Sequence, residues 1–266
     1  MRKAILMILG LAAVAMSVSA ITQTLSYRAT RTADGKPNLN GIWQAINDAN
    51  WDIEPHAPAQ GPFPMRGAID ATPPGMGIVE GGTIPYLPAA LEKKKQNYAN
   101  RASLDPEAKC YLPGVPRATY MPHPFQIVQG AKDILISYQY AGAVRTIYMQ
   151  NPGPAPADSW MGQSVGRWDG ETLVVDVTSL NDKTWFDRAG NFHSDALHVV
   201  ERYTATGPDH LLYEATIEDR NVFSRPWKIS MPLYRRKESN VRLMEFKCVP
   251  FAEELLYGHL RKQPQK

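Results

Sequence analysis

The densest group of titratable side chains in this 266-residue chain lies in residues 184–203, where a loop is predicted to lead into a β-strand. Alternate side chains of a strand share one face, so His193 and Asp195 are predicted to point the same way. A histidine beside a carboxylate can act as a general base whose ring the carboxylate orients. The spacing favours cofactor-free acid–base chemistry, with the candidate catalytic residues His193, Asp195, His198, Glu201 and Arg202. The alternative is a structural cluster in which Asp195 caps the loop and His193 bonds a backbone carbonyl.

His198 is predicted on the side of the strand opposite to His193. There it is either a hydrogen-bonded core histidine or a polar group that projects into an apolar pocket. Two imidazoles and one carboxylate are also the ligand types of a three-residue zinc site, but histidines five residues apart on a strand diverge. A metal site would need a curled loop or a contribution from His123. We therefore predict neither a metal nor another cofactor.

The loop before this strand contains polar and aromatic side chains that could contact a ligand. Asp187 and Arg188 could bind a polar substrate group, with a salt-bridged surface turn as the alternative. Large aromatic residues near strands either line a cavity or belong to the core. The candidate ligand-binding residues are Trp185, Asp187, Arg188, Tyr203 and Trp168. In or beside the predicted strands lie Arg145, Arg202 and Arg225. If one of them is buried it needs a carboxylate partner, such as Glu201, Glu214, Glu218 or Asp176.

From residue 125 onward, short alternating segments separated by turn residues are typical of antiparallel strands. Asp169 and Gly170 form the strongest hairpin signal. Consecutive hairpins without long crossovers favour a closed lipocalin-like barrel over a sandwich. The predicted strands cover residues 125–129, 134–140, 143–149, 164–168, 172–178, 196–204, 211–217, 227–234 and 242–248, and a short early strand could form at 41–45.

The N-terminal half is rich in proline and glycine, which break regular elements. Only residues 89–100, rich in Leu, Glu, Lys and Gln, predict a helix there. A second, short helix is predicted at residues 251–261. We expect a mainly β chain that forms one compact domain. An irregular Pro/Gly-rich wrap with one helix covers residues 21–122, and an antiparallel meander β-barrel with a C-terminal helix covers residues 123–266.

The first 20 residues have the pattern of a secretory signal peptide. Arg2 and Lys3 precede an apolar run, and small residues end it at Ala20. The run is shorter than the roughly 18 to 20 residues of a membrane span, so we expect cleavage after Ala20, a periplasmic or secreted location and no membrane span afterwards. Cleavage lowers the net charge from +3 to about +1, because it removes only two charged side chains. A near-neutral chain does not attract phosphate backbones, so we expect no nucleic-acid partner.

Cys110 and Cys248 are the only cysteines, and an even count in an exported protein permits one internal disulfide. This bridge would tie the irregular half to the last predicted strand and stabilise the fold by about 4 to 5 kcal/mol in the chain-entropy model. Two buried free thiols are the alternative. Without a CxxC pair, a thiol redox role is disfavoured.

Three short sequence segments carry a resemblance to known proteins. Residues 166–176 have the sequence GRWDGETLVVD, residues 193–195 have HSD and residues 201–203 have ERY. In these strings the chain resembles a family of exported bacterial proteins of undetermined activity, and the resemblance runs from about Asp105 to Arg261. The resemblance implies export but no particular reaction and no catalytic residues.

The chain lacks a Gly-rich phosphate loop, a GxSxG elbow, a CxxCH haem motif and an HExxH helix. We therefore predict an exported isomerase, lyase or cyclase that acts on a small, partly apolar organic molecule in a barrel cavity. His193 would be the base, Asp195 would orient it, and His198 or Arg202 would polarise the substrate. The alternatives are a periplasmic lipocalin-like binding protein without turnover and a structural envelope protein.

Overall fold

The computed structural model describes residues 27–61 and 71–260. Eight of the strands predicted after residue 125 are present, and the short early strand is present as well. The strands are β1 Gly41–Gln44, β2 Phe125–Gln129, β3 Asp133–Tyr138, β4 Val144–Tyr148, β5 Gln163–Asp169, β6 Thr172–Thr178, β7 His198–Gly207, β8 His210–Glu218 and β9 Trp227–Arg235.

The nine strands form one closed barrel in sequence order, with β1 hydrogen-bonded to both β2 and β9. The predicted mainly β fold with a closed barrel is confirmed. One pair differs from the prediction, because β4 and β5 run parallel, with Ile147 opposite Ser164. Parallel neighbours need a crossover, and the chain between these strands crosses from one barrel end to the other. The expectation of a purely antiparallel meander is therefore wrong at this pair.

Alternate side chains of the strands fill the barrel interior. On β7 the inward positions are buried and the positions between them are partly exposed, as the period of two requires. Most inward side chains on β7 and on the adjacent β8 are apolar or aromatic, and their burial drives the closure of the barrel. Glu201 is the exception on β7, since it is a fully buried carboxylate that needs polar partners.

The N-terminal half wraps the barrel and contains the helices α1 Pro88–Ala99, α2 Arg101–Leu104 and α3 Arg117–Tyr120. The predicted helix at residues 89–100 is confirmed, and Pro88 suits its first turn because no N–H is needed there. Backbone hydrogen bonds fasten the wrap to the β8–β9 connection, from Leu87 N–H to the Val222 carbonyl and from Ser224 N–H to the Pro85 carbonyl, each 2.9 Å.

The predicted last strand at residues 242–248 is wrong. Since β9 already pairs with β1, the barrel has no free edge for a tenth strand. The segment instead runs outside the barrel, where Met244 N–H donates to Gln139 Oε1 at 3.0 Å. The short C-terminal helix is present as α4 Ala252–Tyr257, followed by the 3₁₀ turn Gly258–Leu260. A disulfide joins Cys110 to Cys248, as predicted, and ties this segment to the residues after α2.

The predicted signal peptide, residues 1–20, lies outside the described residues. Within residues 27–61 and 71–260, no helix has the length and apolar character needed to cross a bilayer. The disulfide is compatible with an exported protein, because such bonds persist in oxidising compartments.

Candidate functional site

The barrel interior contains a buried ion pair between Arg145 of β4 and Glu201 of β7. Arg145 Nη1 donates to Glu201 Oε2 at 2.7 Å, and Nη2 donates to Oε1 at 3.0 Å. The hydroxyl groups of Tyr203 and Tyr213 donate to the same Oε1 at 3.0 and 2.8 Å. A carboxylate with this many donors can remain charged away from water. The prediction that Glu201 could serve as partner for a buried strand arginine is confirmed.

The titration behaviour of this cluster fits a permanent structural role. Burial disfavours the charge on Arg145, but Glu201 opposes it and the pKa of Arg145 lies well above its usual value. Burial, followed by the charge of Glu201, raises the pKa of Tyr203 and Tyr213 well above 10. The tyrosines therefore remain hydrogen-bond donors at physiological pH. Glu201 and Tyr203, predicted for catalysis and ligand binding, form hydrogen bonds with each other and with Arg145.

His193 and Asp195 lie in the loop before β7, so the prediction that they share a strand face is wrong. The buried His193 uses both ring nitrogens, Nε2 with Thr184 Oγ1 at 2.7 Å and Nδ1 with the Ser194 carbonyl at 2.8 Å. Burial lowers the pKa of His193. Asp195 is exposed, and the loop is held instead by Asp219, whose Oδ2 accepts from Ser194 N–H at 2.6 Å.

His198 and Arg202 lie on the outer face of the barrel. His198 Nε2 is 3.1 Å from Asp176 Oδ1, and His198 Nδ1 is 3.7 Å from Glu218 Oε2. Arg202 Nη2 is 3.0 Å from Asp169 Oδ2. In the described part of the chain, no group of three or more His, Cys, Asp or Glu side chains is arranged to hold a metal ion. The five candidate catalytic residues are thus separated: Glu201 inside the barrel, His198 and Arg202 outside it, His193 and Asp195 in the loop.

A cavity of about 680 Å³ lies at the barrel end where β2 begins, β3 ends and β7 begins. Its size is typical of small-molecule sites. Of the predicted ligand-binding residues, Arg188 lines it, while Trp185 and Asp187 belong to the same loop. Tyr203 lies in the barrel interior, and Trp168 packs against the core. The cavity wall is formed by parts of residues 51–59 and 94–108, by residues 123, 140, 188 and 189, and by parts of residues 246–254.

The loop that carries Arg188 is held in place by the fully buried carboxylate of Asp187. Its Oδ1 accepts from the N–H groups of Ala189 at 2.9 Å and Asn191 at 3.2 Å. Its Oδ2 accepts from Ile53 N–H at 2.9 Å and from the Asn191 side-chain amide at 2.6 Å. Short polar side chains that bond nearby backbone N–H groups order a loop in this way. Asp187 therefore fixes the position of the Arg188 backbone.

Gly190 lets the same loop approach helix α1. Its φ is +83°, and a Cβ there would lie 2.8 Å from the backbone nitrogen of Tyr98. Only glycine adopts this backbone conformation without strain and leaves room for the helix. The approach allows Asn97 Nδ2 to donate to the Gly190 carbonyl at 3.2 Å, so the helix and the loop form one continuous cavity wall.

The guanidinium of Arg188 is fixed at the cavity wall by a second buried ion pair. Nε donates to Glu107 Oε2 at 2.9 Å, and Nη2 donates to Oε1 at 2.7 Å. Arg117 Nη2 donates to the same carboxylate at 2.6 Å. Burial opposes the charge on Glu107, but the two arginines prevail and lower its pKa to about 2. The Arg188 guanidinium also lies 4.4 Å from the centroid of the Trp51 ring, a cation–π contact.

His123 faces the cavity just before β2. Its ring centroid is 5.8 Å from that of Tyr140 and 4.8 Å from that of Phe246. It makes no hydrogen bond through its ring with any described residue. Burial lowers the pKa of His123, so the imidazole is mainly neutral at pH 7 and can accept a proton. Burial also raises the pKa of Tyr140 to about 12, which keeps this phenol protonated.

Most of this cavity was not predicted from the sequence, and His123 was considered only as a possible contributor to a metal site. The lining residues come from separate segments, so no local spacing could reveal them. One usable signal was present, because a histidine directly before the second strand of a barrel must lie at a barrel end. The missed residues with titratable or aromatic side chains include Trp51, Asp52, Glu107 and Phe246.

The cavity combines a neutral imidazole, a fixed guanidinium, a protonated phenol and several aromatic surfaces. These groups can bind a partly apolar molecule, stabilise negative charge on it and accept a proton from it. Comparison with known proteins finds no family model that matches this chain and no curated sequence that is similar to it.

Proposed function

We propose that the protein is an exported enzyme that binds a small, partly apolar organic molecule in the cavity at the barrel end and transfers a proton without a cofactor. The observation that carries the proposal is the pairing of His123, a neutral imidazole without a hydrogen-bond partner among the described residues, with the fixed cation Arg188 at one cavity wall. His123 thus takes the role first predicted for His193.

In this proposal, His123 removes a proton from a carbon next to a carbonyl group. Arg188, oriented by Glu107, stabilises the negative charge that develops on the carbonyl oxygen. The Tyr140 hydroxyl donates to the Glu107 carbonyl at 3.3 Å, and its ring, with the other aromatic rings, holds the apolar part of the molecule. Proton abstraction of this kind begins many isomerisation, elimination and cyclisation reactions, which are the reaction classes that the sequence predicts.

A binding protein without turnover is the second candidate. It is favoured by the way in which the C-terminal segment covers the cavity. Phe246 and Phe251 line the cavity on either side of Cys248, whose disulfide fastens the segment, and Phe251 N–H donates to the Ala108 carbonyl at 2.7 Å. A cavity with aromatic side chains in its wall suits retention of a ligand as well as its conversion.

Deuterium exchange separates the two candidates. A set of small aromatic and aliphatic carbonyl compounds is incubated with the protein in D₂O, and exchange at the carbon next to the carbonyl is followed by NMR. We expect exchange with at least one compound, and a loss of about 100-fold or more in His123→Gln, as is typical for removal of a general base. His198→Gln, on the outer barrel face, is the matched control and should catalyse the exchange as fast as the unchanged protein.

Binding without exchange would support the second candidate. If no compound binds, or if His123→Gln exchanges as fast as the unchanged protein, the proposed role of the cavity is wrong.

A further inference from the structure

Three carboxyl groups and one ammonium group lie in or behind one part of the cavity wall. Asp52 lines the cavity, Asp187 lies behind it, and Glu54 is 3.8 Å from Lys94 Nζ. If all three carboxyl groups were ionised, the cluster would carry two uncompensated negative charges. Like charges in a partly buried site keep one carboxyl group protonated.

One amide group joins the first two of these carboxyl groups. Asn191 Nδ2 lies 2.6 Å from Asp187 Oδ2 and 3.2 Å from Asp52 Oδ1. The orientation of this amide is fixed, because the Tyr86 hydroxyl donates to Asn191 Oδ1 at 2.9 Å. Burial raises the pKa of Tyr86 well above 10, so this hydroxyl stays a donor. The amide bridges the two carboxyl groups but adds no positive charge to balance them.

The hydrogen bonds determine which member of the pair can hold the proton. The two oxygens of Asp187 accept four N–H hydrogen bonds. A proton on either oxygen would point towards these donors, so Asp187 is the less favourable place for it. Asp52 differs, since its Oδ1 accepts from Glu54 N–H at 3.0 Å and from Asn191, while its Oδ2 makes no hydrogen bond with a described residue. Asp52 Oδ2 is therefore the position where a proton is tolerated and where it meets the cavity.

We infer that Asp52 and Asp187 retain one proton between them near neutral pH, and that Asp52 presents it to the cavity as the general acid. The catalytic part of this inference rests on the proposed function, whereas the retained proton does not. In the reaction, a proton moves from Asp52 Oδ2 to the substrate as another moves from the substrate to His123. Asp52 is left as a carboxylate and His123 as an imidazolium, and water restores both after release.

The direction of the titration supports this assignment. Burial raises the pKa of Asp52, against the lowering effects of the Glu54 N–H bond and the nearby Lys94 and His56. Burial and the charge of Asp52 raise the pKa of Asp187 to about 7. Burial also raises the pKa of Glu54. The cations that oppose these shifts are Lys94 and His56, which act on Asp52, and Arg117, which acts on Asp187.

The retained proton can be measured without a ligand. Full-length protein labelled with ¹³C at the aspartate carboxyl carbons is titrated by NMR, and the Asp52 resonance is assigned as the one missing in Asp52→Asn. We expect its midpoint to lie above about pH 6, at least two units above the ordinary value of about 3.9 for aspartate, because a lower midpoint would leave the pair without its proton at neutral pH. Lys94→Met should raise the midpoint further, since it removes the neighbouring cation, and it identifies the resonance even if Asp52→Asn does not fold. Asp195→Asn, in the exposed loop, is the matched control and should leave the midpoint unchanged.

A midpoint below about pH 6 would overturn the inference and leave the proposed function of His123 and Arg188 intact. Once a substrate is known, Asp52→Asn should lower product formation by about 100-fold, as expected for a lost general acid, while deuterium exchange through His123 persists. Equal loss of both would mean that Asp52 positions the substrate and does not donate the proton.

Discussion

Two arginine–glutamate pairs of this protein, one in the barrel interior and one at the cavity, share their chemistry and differ in their surroundings. Arg145 and Glu201, inside the barrel, have side chains that are 2% and 0% exposed. Arg188 and Glu107, at the barrel end, are 28% and 12% exposed and border the cavity. The interior pair is enclosed by tyrosine hydroxyls that belong to the barrel. The second pair, with Glu253 Oε1 3.5 Å from Arg188 Nη1, places a guanidinium at the cavity wall, so the same interaction stabilises the fold in one place and can serve a ligand in the other.

The largest difference is expected when each pair loses its carboxylate. Glu201→Ala should lower the free energy of unfolding by about 3 to 5 kcal/mol, because it leaves Arg145 charged and unpaired inside the barrel. Urea unfolding followed by tryptophan fluorescence measures this loss. The double variant Arg145→Met/Glu201→Leu should recover most of it. A double variant as unstable as Glu201→Ala would show that lost packing, and not the unpaired charge, is the cause.

The cavity pair should make stability depend on acid pH. The pKa of Glu107 is about 2 in the folded protein and near 4.5 when unfolded, so the unfolded chain binds its proton more readily. The resulting stabilisation, about 3 kcal/mol, is fully present above pH 4.5 and is lost as the pH falls towards 2. Asp187 acts in the opposite sense, because its raised pKa adds stability that declines as the pH rises towards 7.

Unfolding in urea at a series of pH values tests this dependence, with Glu107→Gln as the comparison. The variant should lose most of the change in stability between pH 4.5 and 2. If it keeps the same acid dependence as the unchanged protein, another carboxyl group is responsible.

Removal of the arginine from each pair should separate stability from binding. Arg188→Met is expected to cost about 1 kcal/mol, because Arg117 still pairs with Glu107 and the side chain is partly hydrated. The same variant should weaken retention of a carbonyl ligand at least tenfold, since it removes the cation from the cavity wall. Urea unfolding and ligand titration measure the two effects. Arg145→Met, the matched change inside the barrel, should reverse them, with a large loss of stability and little direct effect on the ligand.

The barrel could be predicted from sequence because its signals are local. The alternation of apolar and polar residues, together with the turn residues, predicts the eight strands after residue 125. The predicted Asp169–Gly170 turn joins β5 to β6. The error at residues 242–248 arose because a strand also needs a free edge, which depends on whether β1 closes the barrel. The parallel pair of β4 and β5 depends on how the intervening chain crosses the barrel end, and that path leaves no local signal.

The candidate site was harder to predict because it is assembled from distant segments. The dense cluster of titratable residues around His193 belongs to a loop whose polar groups form hydrogen bonds with one another. Here the density of titratable residues reflects a structural role and not a catalytic site. Arg188 was identified, since a polar-aromatic loop at a strand entrance faces a barrel end. Its partner Glu107 lies 81 residues away, and no spacing in the sequence connects them.

The smallest effect is expected on the outer face of β7, on either side of Glu201. His198→Ala and Arg202→Ala should each change the free energy of unfolding by less than about 0.5 kcal/mol, because their ion pairs are half exposed and compete with water. Neither variant should alter ligand retention. Arg202 directly follows Glu201 in the sequence but lies on the opposite face of the strand. Comparison of Glu201→Ala with Arg202→Ala tests whether the inner residue changes the free energy of unfolding by several kcal/mol and the outer one hardly at all. A loss above about 1 kcal/mol in Arg202→Ala would mean that charges outside the barrel help to hold it closed.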